Sequence, residues 1–247
     1  MSGQVVALIP ARLAATRLPD KPLIDICGKP MIQRVWERAS LAPSITSVAI
    51  CTPDDRIAKA AHAFGAKFVM TSDKHRSGTD RLAEAAEILN LGDNDIVVNV
   101  QGDEPLLDPE GIEGVVSLLK ADPTLQMSSL CCPCPDQDVD SPDCVKVVCS
   151  LNGDALYFTR SHVPFPRKEP GVPVKQHVGL YGYRAGFLRL YSRLAPAPLE
   201  MTESLEQLRV LENGYKIRMA HIAKAAIGVD TLEDLERVRA VVARLGK

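Results

Sequence analysis

The chain predicts an α/β fold, a doubly wound and mostly parallel sheet, and three observations predict it. Its first half alternates short apolar runs with segments whose apolar residues recur at helical spacing. The short runs, such as VVALI at 5–9 and DIVVNV at 95–100, are largely apolar rather than alternating, as in strands covered on both faces. With 247 residues, 46% of them hydrophobic, the chain can build one large domain or a domain with a small lobe.

The elements follow in order. Residues 5–9 form a buried strand, and 31–41 a helix whose stripe is Met31, Ile32, Val35, Trp36 and Ala39. A short strand at 47–51 leads to a helix over 54–64, with acidic residues in its first turn and Gly65 beyond its end. Strand 67–70 is followed by a helix over 79–90, with Leu82, Ala85, Ala86 and Leu89 inward. Strand 95–100 precedes a helix over 109–121 that opens on a proline, a residue suited to the first helical turn. After about residue 125 the pattern changes. Strands at 125–131, 144–149, 155–158 and 177–184 are separated by Pro-rich loops, and helices return at 186–193, 202–213 and 231–245. The expectation is a β-rich lobe over about 125–190, inserted in a single domain spanning 1–247 and suited to a dimer contact.

A net charge of −2 provides no basic field for long nucleic acid. No run is long enough to span a bilayer, and residues 1–4 lead straight into a strand without a signal-peptide core. The expected compartment is the cytoplasm. Seven cysteines, including Cys131, Cys132 and Cys134, lack metal-ligand spacing, and an odd count fits reduced, buried thiols.

Two segments carry chemistry. In LIPARLAATRLPDKPL a strand opens into a loop with Arg12, Arg17 and Lys21, stiffened by Pro19 and Pro22. Ahead of a helix, such a loop can hold phosphates, because backbone N–H groups and fixed cations face the anion. It has neither GxxxxGK[ST] nor GxGxxG, and a solvated surface loop is the alternative. The second segment is Gln101-Gly102-Asp103-Glu104-Pro105, just past strand 95–100 at the edge where open α/β sheets bind ligands. If the cations meet a triphosphate, the remaining need is Mg²⁺, which takes one or two carboxylates plus phosphate oxygens. Asp103 is its natural first ligand. Asp230 is the second, unless it merely belongs to a helix start that Thr231 and Asp234 already cap. Glu104 reads as a supporting or surface residue, and Asp108 as a helix cap.

Together with these, GKPMI, SGTDRLAEA, VNVQGDEPLL, KVV, ALYFTRS, HVGLYGYRAGF, PLEMTESLEQLRVLENGYKI and GVDTLEDLERV cover nearly the whole chain. With these motifs the sequence resembles the 3-deoxy-manno-octulosonate cytidylyltransferase family. The resemblance implies a fold of the nucleotide-diphospho-sugar transferase type, a homodimer, and a Mg²⁺-dependent reaction. In that reaction CTP and the eight-carbon acid sugar Kdo give CMP-Kdo and pyrophosphate, for lipopolysaccharide biosynthesis. It implies that Arg12 and Lys21 bind the CTP phosphates, that Ser77 and Arg81 lie beside the cytidine, and that Gln101 and Asp103 flank the α-phosphate. Ser77 reads equally as a helix cap.

For the acid sugar, period-two alternation puts His177, Gly179, Tyr181 and Tyr183 on one strand face. His177 and Tyr181 can face a polyol there, although a strand histidine is often simply hydrogen-bonded. Arg160 suits a carboxylate clamp. Glu203, Glu206 and Gln207 share a face of the helix expected over 202–213, and the resemblance favours Glu206 and Gln207 as hydroxyl binders. Asp103 and Asp230 would hold the metal. The rival readings are a related acid sugar, such as 8-amino-Kdo or a sialic acid, and a non-catalytic CTP sensor.

Overall fold

The computed structural model describes residues 3–13, 18–75, 77–168 and 171–246. Its strands are β1 (Val5–Pro10), β2 (Asp25–Ile26), β3 (Lys29–Pro30), β4 (Ser47–Thr52), β5 (Lys67–Met70), β6 (Ile96–Asn99), β7 (Met127–Pro133), β8 (Lys146–Cys149), β9 (Ala155–Thr159), β10 (Lys175–Arg184) and β11 (Ile217–His221). The α-helices are α1 (Met31–Ala39), α2 (Asp55–Ala63), α3 (Gly78–Ile88), α4 (Pro109–Ala121), α5 (Ala185–Tyr191), α6 (Pro198–Glu203), α7 (Leu208–Glu212) and α8 (Leu232–Arg244).

The main sheet runs β11-β7-β10-β6-β1-β4-β5, with β8 joined to β10 and β9. Pairs β1–β4, β1–β6, β4–β5 and β7–β11 are parallel, β10 runs against its neighbours β6 and β7, and β8 runs against β10 and β9. The chain moves outward from β1 through β4 and β5, then crosses back to β6 on the other side of β1. The switch point therefore lies between β1 and β6, and the loops that follow them carry Arg12 and Asp103. In open α/β sheets ligands bind at such a crevice.

Both faces of the sheet are covered, as the apolar strands require. One core joins Ile9, Ile50 and Val98 of the sheet to Ile32, Val35, Ile57, Ile112 and Val116 of the helices. The other joins Leu8, Cys51 and Val97 to Leu82, Ala86, Leu188 and Leu208. A third, smaller cluster holds α8 against the loop after β1 through Leu18, Ile26, Met31, Leu235 and Val238. Local signals set the boundaries. Asp108 accepts from Glu110 N at the start of α4 and Gly65 adopts φ 79° after α2. Thr231 and Asp234 form the capping box of α8.

Three expectations change. The helix predicted over 202–213 is two short helices, because Ser204 turns left-handed at φ 54°. Strand β11 and the β2–β3 hairpin were not anticipated, since IRMAH is short and both hairpin strands have two residues. The lobe expected over 125–190 is smaller: β7 and the end of β10 pair inside the main sheet, and β8, β9 and the start of β10 extend from it.

Candidate active site

Lys21 is the centre of the site. Its Nζ lies 2.8 Å from Asp103 Oδ2 and 2.9 Å from Asp230 Oδ1, so one half-buried ammonium bridges two carboxylates 127 positions apart in sequence. Burial alone would lower its pKa, but Asp103 and then Asp230 outweigh that and raise it. Asp230 is free for this because Thr231 caps α8. The two acidic segments are also tied through the backbone, Val229 N donating to Asp103 O at 2.9 Å. Gly102 permits the approach of the loops: a Cβ there would stand 2.9 Å from the carbonyl oxygen of Pro10, a backbone atom that cannot swing aside.

On the other side of the loop after β1, Arg12 is exposed and Arg81 is buried. Arg81 donates to Thr71 Oγ1 at 2.6 Å and to Ser72 O at 3.0 Å. Burial and then the charge of Arg12 lower its pKa, so two cations crowd one side of the site, a setting suited to phosphate. The third cation of the loop, Arg17, lies outside the described residues. Ser77 is the N-cap of α3, accepting from Asp80 N at 3.2 Å. Glu104 is partly buried. Burial and the adjacent Asp103 push its carboxyl up to about 7, and Oε2 has no hydrogen-bond partner.

At Gln101, where the loop that carries Asp103 begins, a chamber of about 220 Å³ opens between α3, β6, β10 and the turn at 204–207. Gln101, Tyr181, Glu206 and Gln207 line it, as do Asn99 and Thr79, which the sequence did not single out. Glu206 accepts from Thr79 Oγ1 at 3.2 Å, and burial raises its carboxyl pKa. The break at Ser204 separates residues expected on one helical face: Glu203 turns away to Thr159 and the Arg160 backbone, while Glu206 and Gln207 face the chamber.

His177 and Tyr181 do share a face, although β10 is bulged. Between Val178 and Tyr181 the register skips two residues rather than one, so the period-two alternation survives. The rings of His177 and Tyr181 are 5.5 Å apart. His177 is buried with both nitrogens engaged. Gln207 Nε2 donates to Nδ1 at 3.4 Å, which leaves Nε2–H to donate to Ser129 Oγ at 2.9 Å. Tyr181 O–H donates to Gln207 Oε1 at 3.4 Å. His177 thus steadies Gln207 from beneath.

Burial lowers the His177 pKa from its ordinary value to about 3. The unfolded chain takes up this proton near pH 6.5 and the folded protein does not, so stability falls as pH drops through that window. Relative to wild type, His177→Asn should flatten the pH dependence of urea melts between pH 6.5 and 5, by about 2 kcal/mol. Parallel wild-type and variant profiles would contradict this.

Arg160 is not in the chamber lining. Its guanidinium donates to Glu203 O at 2.8 Å, to Pro142 O at 2.7 Å and to Ser204 O at 3.5 Å. Buried Lys146 braces the same corner through the carbonyls of Ser141, Cys144 and Arg160. Arg160 therefore stands behind Ser204, bound to backbone, rather than pointing at an open carboxylate site.

The described residues also hold a roomier groove of about 680 Å³, between α1, α8 and 224–227, lined by none of the candidate site residues. The smaller polar chamber carries four of them, Gln101, Tyr181, Glu206 and Gln207.

The cytidylyltransferase family model matches residues 6–217. A 3-deoxy-manno-octulosonate cytidylyltransferase of Pseudoalteromonas translucida (strain TAC 125) is 49% identical, covering 95% of this chain and 96% of its own. The chain belongs to this family of cytidylyltransferases. One of Syntrophus aciditrophicus (strain SB) is 44% identical over 97% of both chains. A solved CMP:2-keto-3-deoxy-manno-octonic acid synthetase complexed with CTP superposes with a TM-score of 0.94, at 43% identity, over 98% of this chain and 99% of that one. A 4-diphosphocytidyl-2C-methyl-D-erythritol synthase, 12% identical with a TM-score of 0.67, shares the fold alone.

Proposed function

We propose that the enzyme transfers CMP from CTP to the C2 hydroxyl of Kdo, giving CMP-Kdo for lipopolysaccharide biosynthesis. The observation that carries this reading is the junction of two unlike sites. A cationic, carboxylate-bearing centre at the switch point meets a chamber lined by hydroxyl-binding groups.

The donor set fits Mg²⁺. Asp103 and Asp230 offer hard oxygens that already converge on one cation, and the phosphates of CTP supply others. Among the described residues no three His, Cys, Asp or Glu side chains gather as a metal cluster, consistent with a metal held partly by substrate. Asp103 and Asp230 would hold the metal, which would supply charge neutralisation for the phosphates and a lower pKa for the reacting hydroxyl.

The chain's own residues do the rest. Arg12 and Lys21 hold the triphosphate, and Ser77 and Arg81 lie beside the cytidine. Gln101, whose Nε2 donates to Gly179 O at 3.3 Å, fixes the mouth of the chamber. Tyr181, Glu206 and Gln207 bind sugar hydroxyls, with His177 positioning Gln207, and Arg160 braces the turn at 204–207. The hydroxyl oxygen bonds to the α-phosphorus while the α–β anhydride bond breaks. Pyrophosphate leaves toward Lys21, and the hydroxyl proton goes to solvent. Stoichiometric pyrophosphate release from CTP and Kdo tests the reading. Release only with 8-amino-Kdo or a sialic acid would move the specificity, and CTP binding without turnover would favour a sensor.

We assign the protein to the cytoplasm, as all seven cysteines are free. A homodimer through the extension is supported by four large apolar side chains exposed along it, Leu151, Leu156, Phe165 and Val172. Sedimentation at micromolar concentration should show a dimer, and a strict monomer would refute it.

A further inference from the structure

Among the described residues only two buried side-chain polar atoms lack a hydrogen-bond partner, Glu104 Oε2 and Asn99 Oδ1. Asn99 is 3% exposed and lines the chamber. It ends β6, whose other residues, Ile96, Val97 and Val98, are buried and aliphatic. Its backbone is paired on both sides, opposite Leu8 and Tyr181, so the strand does not need the amide. An aliphatic side chain would suit packing better, because a buried acceptor left unpaired loses the hydrogen bonds it had in water.

The contrast with its neighbours is informative. Glu206 is engaged by Thr79, Gln207 by Tyr181 and His177, and Gln101 by Gly179. Asn99 is the member of this lining with an unanswered carbonyl. It also sits two residues before Gln101 and four before Asp103, so it is close to the carboxylate segment in the chain but not adjacent to it. A sugar whose reacting hydroxyl lies at Asp103 would reach Asn99 with another part of its ring or tail.

We propose that Asn99 is a specificity-determining residue that hydrogen-bonds a sugar hydroxyl other than the one that reacts. A hydroxyl suits this amide in either orientation, since it can donate to Oδ1 or accept from Nδ2 when the amide turns over. The unpaired carbonyl disfavours the empty chamber and any ligand lacking that hydroxyl, and sites built to pair a hydroxyl discriminate strongly against its absence. This inference rests on the chamber being the sugar site.

Asn99→Leu, with Asn99→Ala as a second variant should the first fail to fold, tests it. KM for Kdo should rise at least about tenfold, while CTP affinity measured calorimetrically without sugar stays within about twofold. The ligand-free Leu variant should melt no lower than wild type, an outcome a structural asparagine would not give. Among Kdo analogues each lacking one hydroxyl, one should be rejected by wild type and accepted as well as Kdo by the variant. Unchanged KM, or no analogue whose rejection is relieved, overturns the proposal. Weakened CTP binding with intact sugar KM would assign the amide to a ribose hydroxyl and also overturn it. Failure of wild type to turn over Kdo would instead overturn the sugar reading itself.

Discussion

Asp103→Ala should make CMP-Kdo at least about a hundredfold more slowly at saturating Mg²⁺, the scale of losing one preorganised electrostatic contact. The residue sits past the end of β6, where its carboxylate faces Lys21 rather than the core, and its side chain is 38% exposed. Removing it should therefore cost little stability, and the melting temperature should remain near that of wild type. Asp230→Ala should behave alike, since both oxygens converge on the same ammonium. Initial rates of pyrophosphate release measure the effect. Near-normal turnover in Asp103→Ala would remove Asp103 from the metal site and leave its pairing with Lys21 as a structural contact.

Lys21→Ala should lower kcat by roughly ten- to a hundredfold and raise KM for CTP less, because its charge is matched to the departing pyrophosphate more than to bound CTP. A second readout follows from the bridge. In the absence of nucleotide the ammonium occupies the space between Asp103 and Asp230, so its removal should tighten Mg²⁺ binding to the nucleotide-free protein. Calorimetric titration would show it. An effect confined to KM makes Lys21 a uniform phosphate binder, and unaltered metal affinity means the bridge does not form in solution.

Much of this was legible in the residues. The alternating apolar runs, the proline at the start of α4, and Gly65 after α2 are local signals, and the structure follows them. The placement of Asp103 at a strand end was legible for the same reason. What was not legible depends on tertiary contacts. The break at Ser204 is a left-handed residue with no glycine to announce it, so Glu203 was grouped with Glu206 and Gln207. The lobe was overdrawn because the sequence cannot show that β7 and β10 pair across the main sheet. Asn99 was missed because a single amide ending an aliphatic strand is a weak signal until the chamber around it is known. The environment of Arg160, bound to three carbonyls, depends on loops distant in sequence and has no local signature.

The contact between Val229 and Asp103 has a consequence for how the enzyme is made. Arg12, Lys21, Arg81 and Asp103 are translated well before Asp230 and the helix that covers Leu18, Ile26 and Met31. A nascent chain stopped before Val229 can build most of the sheet and still have neither the backbone tie to Asp103 nor the second anchor for Lys21. If both carboxylates are needed, activity should appear in a growing chain only once residue 230 has left the ribosome.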